Sequence, residues 1–344
     1  MSYLAPRARK IRCCQKRLLV RIWAFDALGP RNATSDRAVL GAADVRDVRD
    51  FLNRMEVVDT TPMHITSNVT DIVDRGLAED VGQGDWTTLA TAPEGARGRG
   101  RIVAKSDCVL AGLPVAHLVW ERLGNRVTIE PLAQEGAELE KGQLVCRLEG
   151  DFRHILMGER LALNLLQRMS GIATATRRMV AMVSGTKARI ADTRKTVPGL
   201  RALDKYAVRV GGGWNHRAAL DGGVLIKENH IAAAGSITEA VVAARRTAPL
   251  TLRIEVETQD LADVREAVDA GADIVMLDNM SYADMRQAVS EVGGRVLLEA
   301  SGNVTADRVR AVDESGVDII SVGALTHSVV AADLSLLVER APAP

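Results

Sequence analysis

The sequence predicts a parallel α/β barrel preceded by a smaller β-rich domain, and three observations carry that prediction. After Ala188, short apolar runs alternate with helical patterns at a period of roughly 25–35 residues, the spacing of strand–helix units in a parallel sheet. Between Gly100 and Gly150 the apolar runs are separated by glycine turns instead, as in a small antiparallel sheet. Charged residues fall at the ends of the later apolar runs, where parallel α/β architectures bind their ligands. The chain is long enough for both parts: 344 residues at 47% hydrophobic content support two domains with sizeable cores.

Composition narrows the function classes. Lys plus Arg equals Asp plus Glu at 44 each, so no global field recruits nucleic acid or a membrane, and anion binding must come from local clustering. No apolar run approaches the roughly 20 residues that span a bilayer. Cys13, Cys14, Cys108 and Cys146 fit neither a zinc spacing nor a disulfide framework, which points to a reducing compartment, by default the cytoplasm.

In chain order, residues 1–20 carry Arg7, Arg9, Lys10, Arg12, Lys16 and Arg17 with no acidic residue before Asp26, a pattern shared by basic tails and organelle transit peptides. Residues 1–60 are expected to be an extension without a core of its own, disorder included. The first domain is expected over 61–180. Its opening string VDRGLAEDVGQGDWTT couples an amphipathic helix to a glycine-rich turn, where Asp80 and Asp85 lack the spacing of a calcium loop. Runs at 101–105, 109–112, 127–132 and 144–148 read as its strands. Within them, EGAELEKGQLVCRLEG is similar to the hairpin of biotinyl and lipoyl carrier modules, but Lys141 lacks the neighbours of a modified lysine. Residues 151–184 read as two helices broken at Ser170-Gly171.

The barrel is expected over 181–337, with strands at 188–191, 224–226, 251–256, 274–277, 296–300 and 319–322 and a C-terminal tail at 338–344. Six strands fall short of a closed eight-stranded barrel, and periodicity alone does not separate this from an open doubly wound sheet. Alternation in the third strand puts Leu252, Ile254 and Val256 on one face and Arg253, Glu255 and Glu257 on the other. With helices outside, the charged face points inward, which is costly unless the groups are paired or bind ligand. Arg194, Lys195, Arg201, Lys205, Arg209, His216, Arg217 and Lys227 gather between 192 and 231, with Arg194, Lys195 and Lys227 at the first two strand ends, a signature of a polyanionic ligand.

Thr193-Arg194-Lys195-Thr196 with Pro198-Gly199, then Gly211-Gly212-Gly213 with Asn215-His216-Arg217, then Leu225-Ile226-Lys227 with Asn229-His230-Ile231, together resemble the quinolinate phosphoribosyltransferase family. The resemblance continues through Glu255-Val256-Glu257, Leu277-Asp278-Asn279, Ser301-Gly302-Asn303 and the string from Ser321 to His327, covering roughly 61–337. Val197 departs from the family's usual Thr or Met, and residues 221–223 fall in a variable turn.

The resemblance implies an incomplete TIM-like α/β barrel with a smaller N-terminal α+β domain. It implies transfer of phosphoribose from phosphoribosyl pyrophosphate to quinolinate with loss of carbon dioxide, a step of NAD biosynthesis. Lys195, Glu257 and Asp278 are then the catalytic residues. Arg160, Arg194, Lys195, His216, Arg217 and Lys227 bind the anions with Glu257 and Asp278, which also hold magnesium through hard oxygen ligands. Ser301, Gly302 and Asn303, with Gly323, Ala324 and His327, take a phosphate, in the late-strand loops where barrels of this kind bind one. Arg160 is implied to serve the neighbouring subunit of a homodimer with shared sites, a higher oligomer being left open. A nicotinate phosphoribosyltransferase would need fewer cations than this cluster holds. An orotidylate decarboxylase would need an Asp-x-Lys pair, whereas two residues, Thr193 and Arg194, separate Asp192 from Lys195.

Overall fold

The computed structural model of the chain describes residues 63–341. The extension expected at 1–60 lies outside the described residues. Among the described residues no helix is long and apolar enough to cross a membrane.

The first part is an antiparallel sheet backed by helices. Its elements are α1 (Ser67–Val81), α2 (Trp86–Thr91), β1 (Arg97–Ala104), β2 (Cys108–Val109), α3 (Leu113–Arg122), β3 (Val127–Pro131), β4 (Glu138–Leu139), β5 (Leu144–Asp151) and α4 (Phe152–Met182). Asp85 caps α2 by accepting the Thr88 N–H at 2.9 Å, so the candidate calcium turn is structural. In β1 the alternation RGRGRIVA exposes the arginines at 97, 99 and 101 and buries Gly98, Gly100, Ile102 and Ala104. Those small inward residues let α4 lie close, since a Cβ at Gly98 would overlap the Phe152 ring.

Helix α4 is one helix of 31 residues, not two. The break expected at Ser170-Gly171 is absent because tertiary contacts outweigh local propensity there. Ser170 Oγ accepts from Ala111 N at 3.0 Å, and Gly171 leaves room for the backbone of Val330 and Ala331. Leu166, Met169 and Ile172 of this helix are fully buried, and each such side chain is worth about 2–5 kcal/mol relative to alanine.

The second part alternates strand and helix: β6 (Arg189–Ala191), α5 (Arg201–Val210), β7 (Val224–Ile226), α6 (Glu228–Ala234), α7 (Ile237–Thr247), β8 (Ile254–Thr258), α8 (Leu261–Asp269), β9 (Ile274–Asp278), α9 (Tyr282–Val292), β10 (Leu297–Ser301), α10 (Ala306–Asp313), β11 (Ile319–Ser321), α11 (Ala324–His327) and β12 (Leu334–Arg340). Six parallel strands run in the order β6-β11-β10-β9-β8-β7, and Trp214 adds an isolated parallel bridge to Ala191 on the outer side of β6. This is the incomplete barrel. Ser236, Asp260 and Ser281 cap α7, α8 and α9, each accepting backbone N–H groups that the first helical turn leaves orphaned.

Three expectations need correction. The chain does not end in a free tail from 338, because β12 runs to Arg340 and pairs antiparallel with β1, giving the first sheet the order β12-β1-β5-β3. The carrier-type hairpin does not form, since β4 pairs with β2 while β5 lies between β1 and β3. Lys141 sits in the turn between them, its N–H held by Asp107. The third barrel strand starts at Ile254, so Arg253 lies before it, exposed, and contributes no charge to the interior. A turn closed by Leu252 N–H and Pro249 O delays the strand.

Candidate active site

All six parallel strands end at the same face, and the polar residues there form a buried floor below an exposed ring of cations. Asp192 follows β6 and is fully buried. Its carboxylate accepts from Lys205 Nζ at 2.5 Å, Asn215 Nδ2 at 2.7 Å and the His216 N–H at 2.8 Å, while Lys205 Nζ also donates to the His216 carbonyl at 2.8 Å. Burial pushes the Asp192 carboxyl up and the Lys205 ammonium down, each toward neutrality, and the hydrogen bonds between them oppose both shifts. The turn that presents His216 and Arg217 is thereby fixed to α5.

His216 faces inward. Its Nδ1 accepts the Arg217 N–H at 2.8 Å, so the ring proton sits on Nε2, which donates to Glu255 at 2.9 Å with Glu299 at 3.8 Å. Burial disfavours the imidazolium, but the hydrogen bond to Glu255 and the charges of Glu299 and Glu255 hold the His216 pKa above its ordinary value. Glu299 on β10 is buried, with Glu255 close by and the Ser321 hydroxyl donating to it. Desolvation first, then the charge of Glu255, pushes its carboxyl up to about 8. His216, Glu255 and Glu299 have ligand-type atoms within 4.8 Å of one another. The tautomer argues against a metal there, because an imidazole that ligates through Nε2 must donate from Nδ1 rather than accept.

Above this floor lie the cations. Arg194 and Lys195 are exposed in the loop after β6, with no carboxylate partner among the described residues. Arg201 ties that loop together, donating to Thr196 Oγ1 at 2.9 Å and to the Ala218 carbonyl at 3.0 Å. Arg217 donates to the Gly223 carbonyl at 2.8 Å, and burial, then the charge of Arg194, lowers its pKa. Two guanidiniums close enough to feel each other's charge favour an anion beside them. Lys227, just past β7, forms an ion pair with Glu257 of β8.

Asp278 ends β9 beside Ser301 of β10, its register partner. Asn279 Nδ2 donates to Asp278 at 2.9 Å and Asn303 Nδ2 to Asn279 Oδ1 at 3.2 Å, so the two strand ends are laced together. Asn279 and Asn303 hold left-handed backbone, with φ of 54° and 48°, a conformation that clusters at functional sites. Gly302 has φ of 94°, and a Cβ there would overlap the Asn279 amide. After β11, a Cβ on Gly323 would come within 3.1 Å of both Lys195 Cδ and the His327 ring, which brings Lys195, Gly323, Ala324 and His327 to one place.

The structure thus gathers Arg194, Lys195, Arg217, Lys227, Glu257, Asp278, Ser301, Gly302, Asn303, Gly323, Ala324 and His327 at one end of the sheet. His216 joins them from behind, with both ring nitrogens engaged within the fold. Arg160 does not join them. It is exposed on α4 and pairs with no described residue. Sequence reasoning counted Lys205 among the clustered cations and quoted Asn215 and Ser321 in its motifs, but gave no role to these or to Asp192 and Glu299. Their one signal was position, since Asp192, Glu299 and Ser321 are polar residues at the ends of apolar runs.

Family models for the quinolinate phosphoribosyl transferase N-terminal domain and C-terminal domain match residues 85–170 and 172–337. A probable nicotinate-nucleotide pyrophosphorylase [carboxylating] of Synechocystis is 44% identical over 267 residues, 77% of this chain and 90% of that protein. Its Bacillus subtilis counterpart is 43% identical, over 75% of this chain and 89% of its own. The solved structure of the Francisella tularensis nicotinate-nucleotide pyrophosphorylase superposes with a TM-score of 0.78 at 40% identity, covering 80% of this chain and 98% of that one.

Proposed function

Because the chain belongs to the quinolinate phosphoribosyltransferase family, we infer that it transfers phosphoribose from phosphoribosyl pyrophosphate to quinolinate with decarboxylation, giving nicotinate mononucleotide, pyrophosphate and carbon dioxide. The observation that supports this best is the gathering of Arg194, Lys195, Arg217 and Lys227 opposite Glu257 and Asp278 at one end of the sheet. A dicarboxylate and a pyrophosphate repel each other until cations neutralise them, and the arginine fork suits carboxylates.

The pyridine nitrogen already has a lone pair, so attack on the anomeric carbon needs no general base. As the bond to pyrophosphate breaks, its electron pair leaves with the oxygen and positive charge builds on the ribose. Glu257 and Asp278 stabilise that charge electrostatically, while Lys195 and its neighbours take the leaving group. The ring nitrogen is then cationic and draws in the electrons released when the adjacent carboxylate departs as carbon dioxide. A proton is taken up at that carbon. Arg217 is aimed by the His216 turn, so His216 acts from behind the site.

Glu257 and Asp278 stand on adjacent strands as half-buried carboxylates, a hard oxygen set of the kind magnesium uses together with substrate oxygens. When bound, the ion neutralises pyrophosphate charge. The exposed Arg160 fits a homodimer in which it reaches the partner's quinolinate. Cys108 and Cys146 are both free and buried, consistent with a reducing cytoplasm. The test is carbon dioxide release from carboxyl-labelled quinolinate with phosphoribosyl pyrophosphate and magnesium, with nicotinate as the comparison acceptor. Turnover of nicotinate at the expense of quinolinate overturns the reading.

A further inference from the structure

The backbone of Lys195 is held at both polar groups. Its N–H donates to Thr193 Oγ1 at 3.0 Å, and its carbonyl accepts the Thr326 hydroxyl at 2.8 Å. Thr326 lies on α11 with no exposed surface, and Gly323 O at 3.3 Å is a weaker second acceptor for its hydroxyl. The Thr326 carbonyl in turn accepts from Arg168 Nη2 at 3.0 Å. Arg168 projects from α4 and grips Asp204 of α5 through two bonds, Nε to Oδ1 at 2.9 Å and Nη2 to Oδ2 at 2.8 Å.

Asp204 is completely buried. Taking such a pair out of water costs about as much as its attraction returns, so stability alone is a poor reason for it. What the forked geometry does supply is direction: two parallel bonds fix the guanidinium plane, and the second hydrogen on Nη2 then fixes the Thr326 carbonyl. Thr326 has one hydroxyl hydrogen, and the shorter of its two bonds goes to Lys195 O. The loop is therefore clamped through its backbone to the α4–α5 pair, and the Lys195 stem is left to cross Gly323 toward the strand ends.

We propose that Thr326, oriented by the Arg168–Asp204 pair, is a positioning residue that aims Lys195 at the bound anions. The inference rests on the reading of Lys195 as an anion-binding residue of the transferase. Thr326 acts through Lys195, and without the hydroxyl the Lys195 carbonyl loses its donor and the loop its fixed pitch. Misplacement of a catalytic group by about 1 Å can cost on the order of 100-fold, which sets the ceiling of the effect.

Thr326→Val preserves shape and removes the hydroxyl. In the full-length enzyme kcat/KM for phosphoribosyl pyrophosphate should fall about 10- to 100-fold, and Thr326→Ser should recover most of the loss. The deciding measurement is the cycle with Lys195→Ala: if Thr326 works only through that side chain, Thr326→Val should change the residual activity of Lys195→Ala by less than about 2-fold. Should Thr326→Val not fold, Arg168→Lys, which keeps the charge and loses the fork, takes its place in the same cycle. Wild-type activity in Thr326→Val beside a crippled Lys195→Ala overturns the proposal, as does an equal loss in both backgrounds. A fully active Lys195→Ala removes instead the role of Lys195 itself, and this one with it.

Discussion

Replacing Glu299 with glutamine should flatten the alkaline loss of stability. The Glu299 carboxyl rises from an ordinary 4.5 to about 8 because burial strips its water and Glu255 lies close by. The folded state therefore holds a proton that the unfolded chain has already released at neutral pH. The stability tied to this group is complete below about pH 4.5 and drains away as the pH climbs through about 8. Treated alone, the shift is worth about 5 kcal/mol, at roughly 1.4 kcal/mol per pH unit. Only about two of those pH units lie above pH 6, so a loss of about 2–3 kcal/mol is expected between about pH 6 and about pH 9, spread over a broader range than one group would give because His216 and Glu255 redistribute charge as Glu299 ionises. Glutamine keeps an acceptor for the Ser321 hydroxyl and cannot ionise. Urea unfolding of the two proteins across that range measures the difference. A wild-type curve that is flat over the range, or a glutamine variant that loses as much as wild type, refutes the assignment of a proton to Glu299.

Lys195→Ala should unfold at the wild-type temperature yet lose about 100-fold or more in turnover, the scale of lost electrostatic stabilisation, and near-normal turnover would remove it from the site. Arg160→Ala and Lys227→Ala should each be inactive, but refolding equal amounts together should restore roughly a quarter of the sites if each site draws Arg160 from one chain and Lys227 from the other. No recovery, with subunit exchange confirmed independently, would return Arg160 to its own chain. Deleting residues 1–60 should leave turnover and melting temperature nearly unchanged, and a large fall in either would show that the segment docks on the fold.

The barrel was legible where a strand's apolar run and its charged end both show in the chain. The strand at 224–226 was read to the residue, and Lys227 with it, because glycines precede it and a cation closes it. The strand at Ile254 was set three residues early because Leu252 and Arg253 continue its alternation, and nothing local reveals that they belong to a turn. Ser170-Gly171 reads as a helix break in isolation, and only the approach of Ala111 and Val330 explains why it is none. The mouth of the site was visible through the quoted motifs, its floor was not. Lys205 reaches Asp192 from helix α5 and Glu299 meets His216 from a strand far along the chain, and one polar residue at the end of an apolar run does not announce its partner.

The pairing of β12 with β1 has a consequence for how the protein is made. Ala104 has Leu334 as its partner across the sheet, so the first domain to leave the ribosome lacks a strand until nearly the whole chain has been synthesised. Until then β1 presents an open edge, a template for wrong partners. Its outward arginines at 97, 99 and 101 put like charges along any second copy that tries to pair there. Synthesis halted inside the barrel would yield a nascent chain with an unfinished sheet rather than one finished domain and one missing.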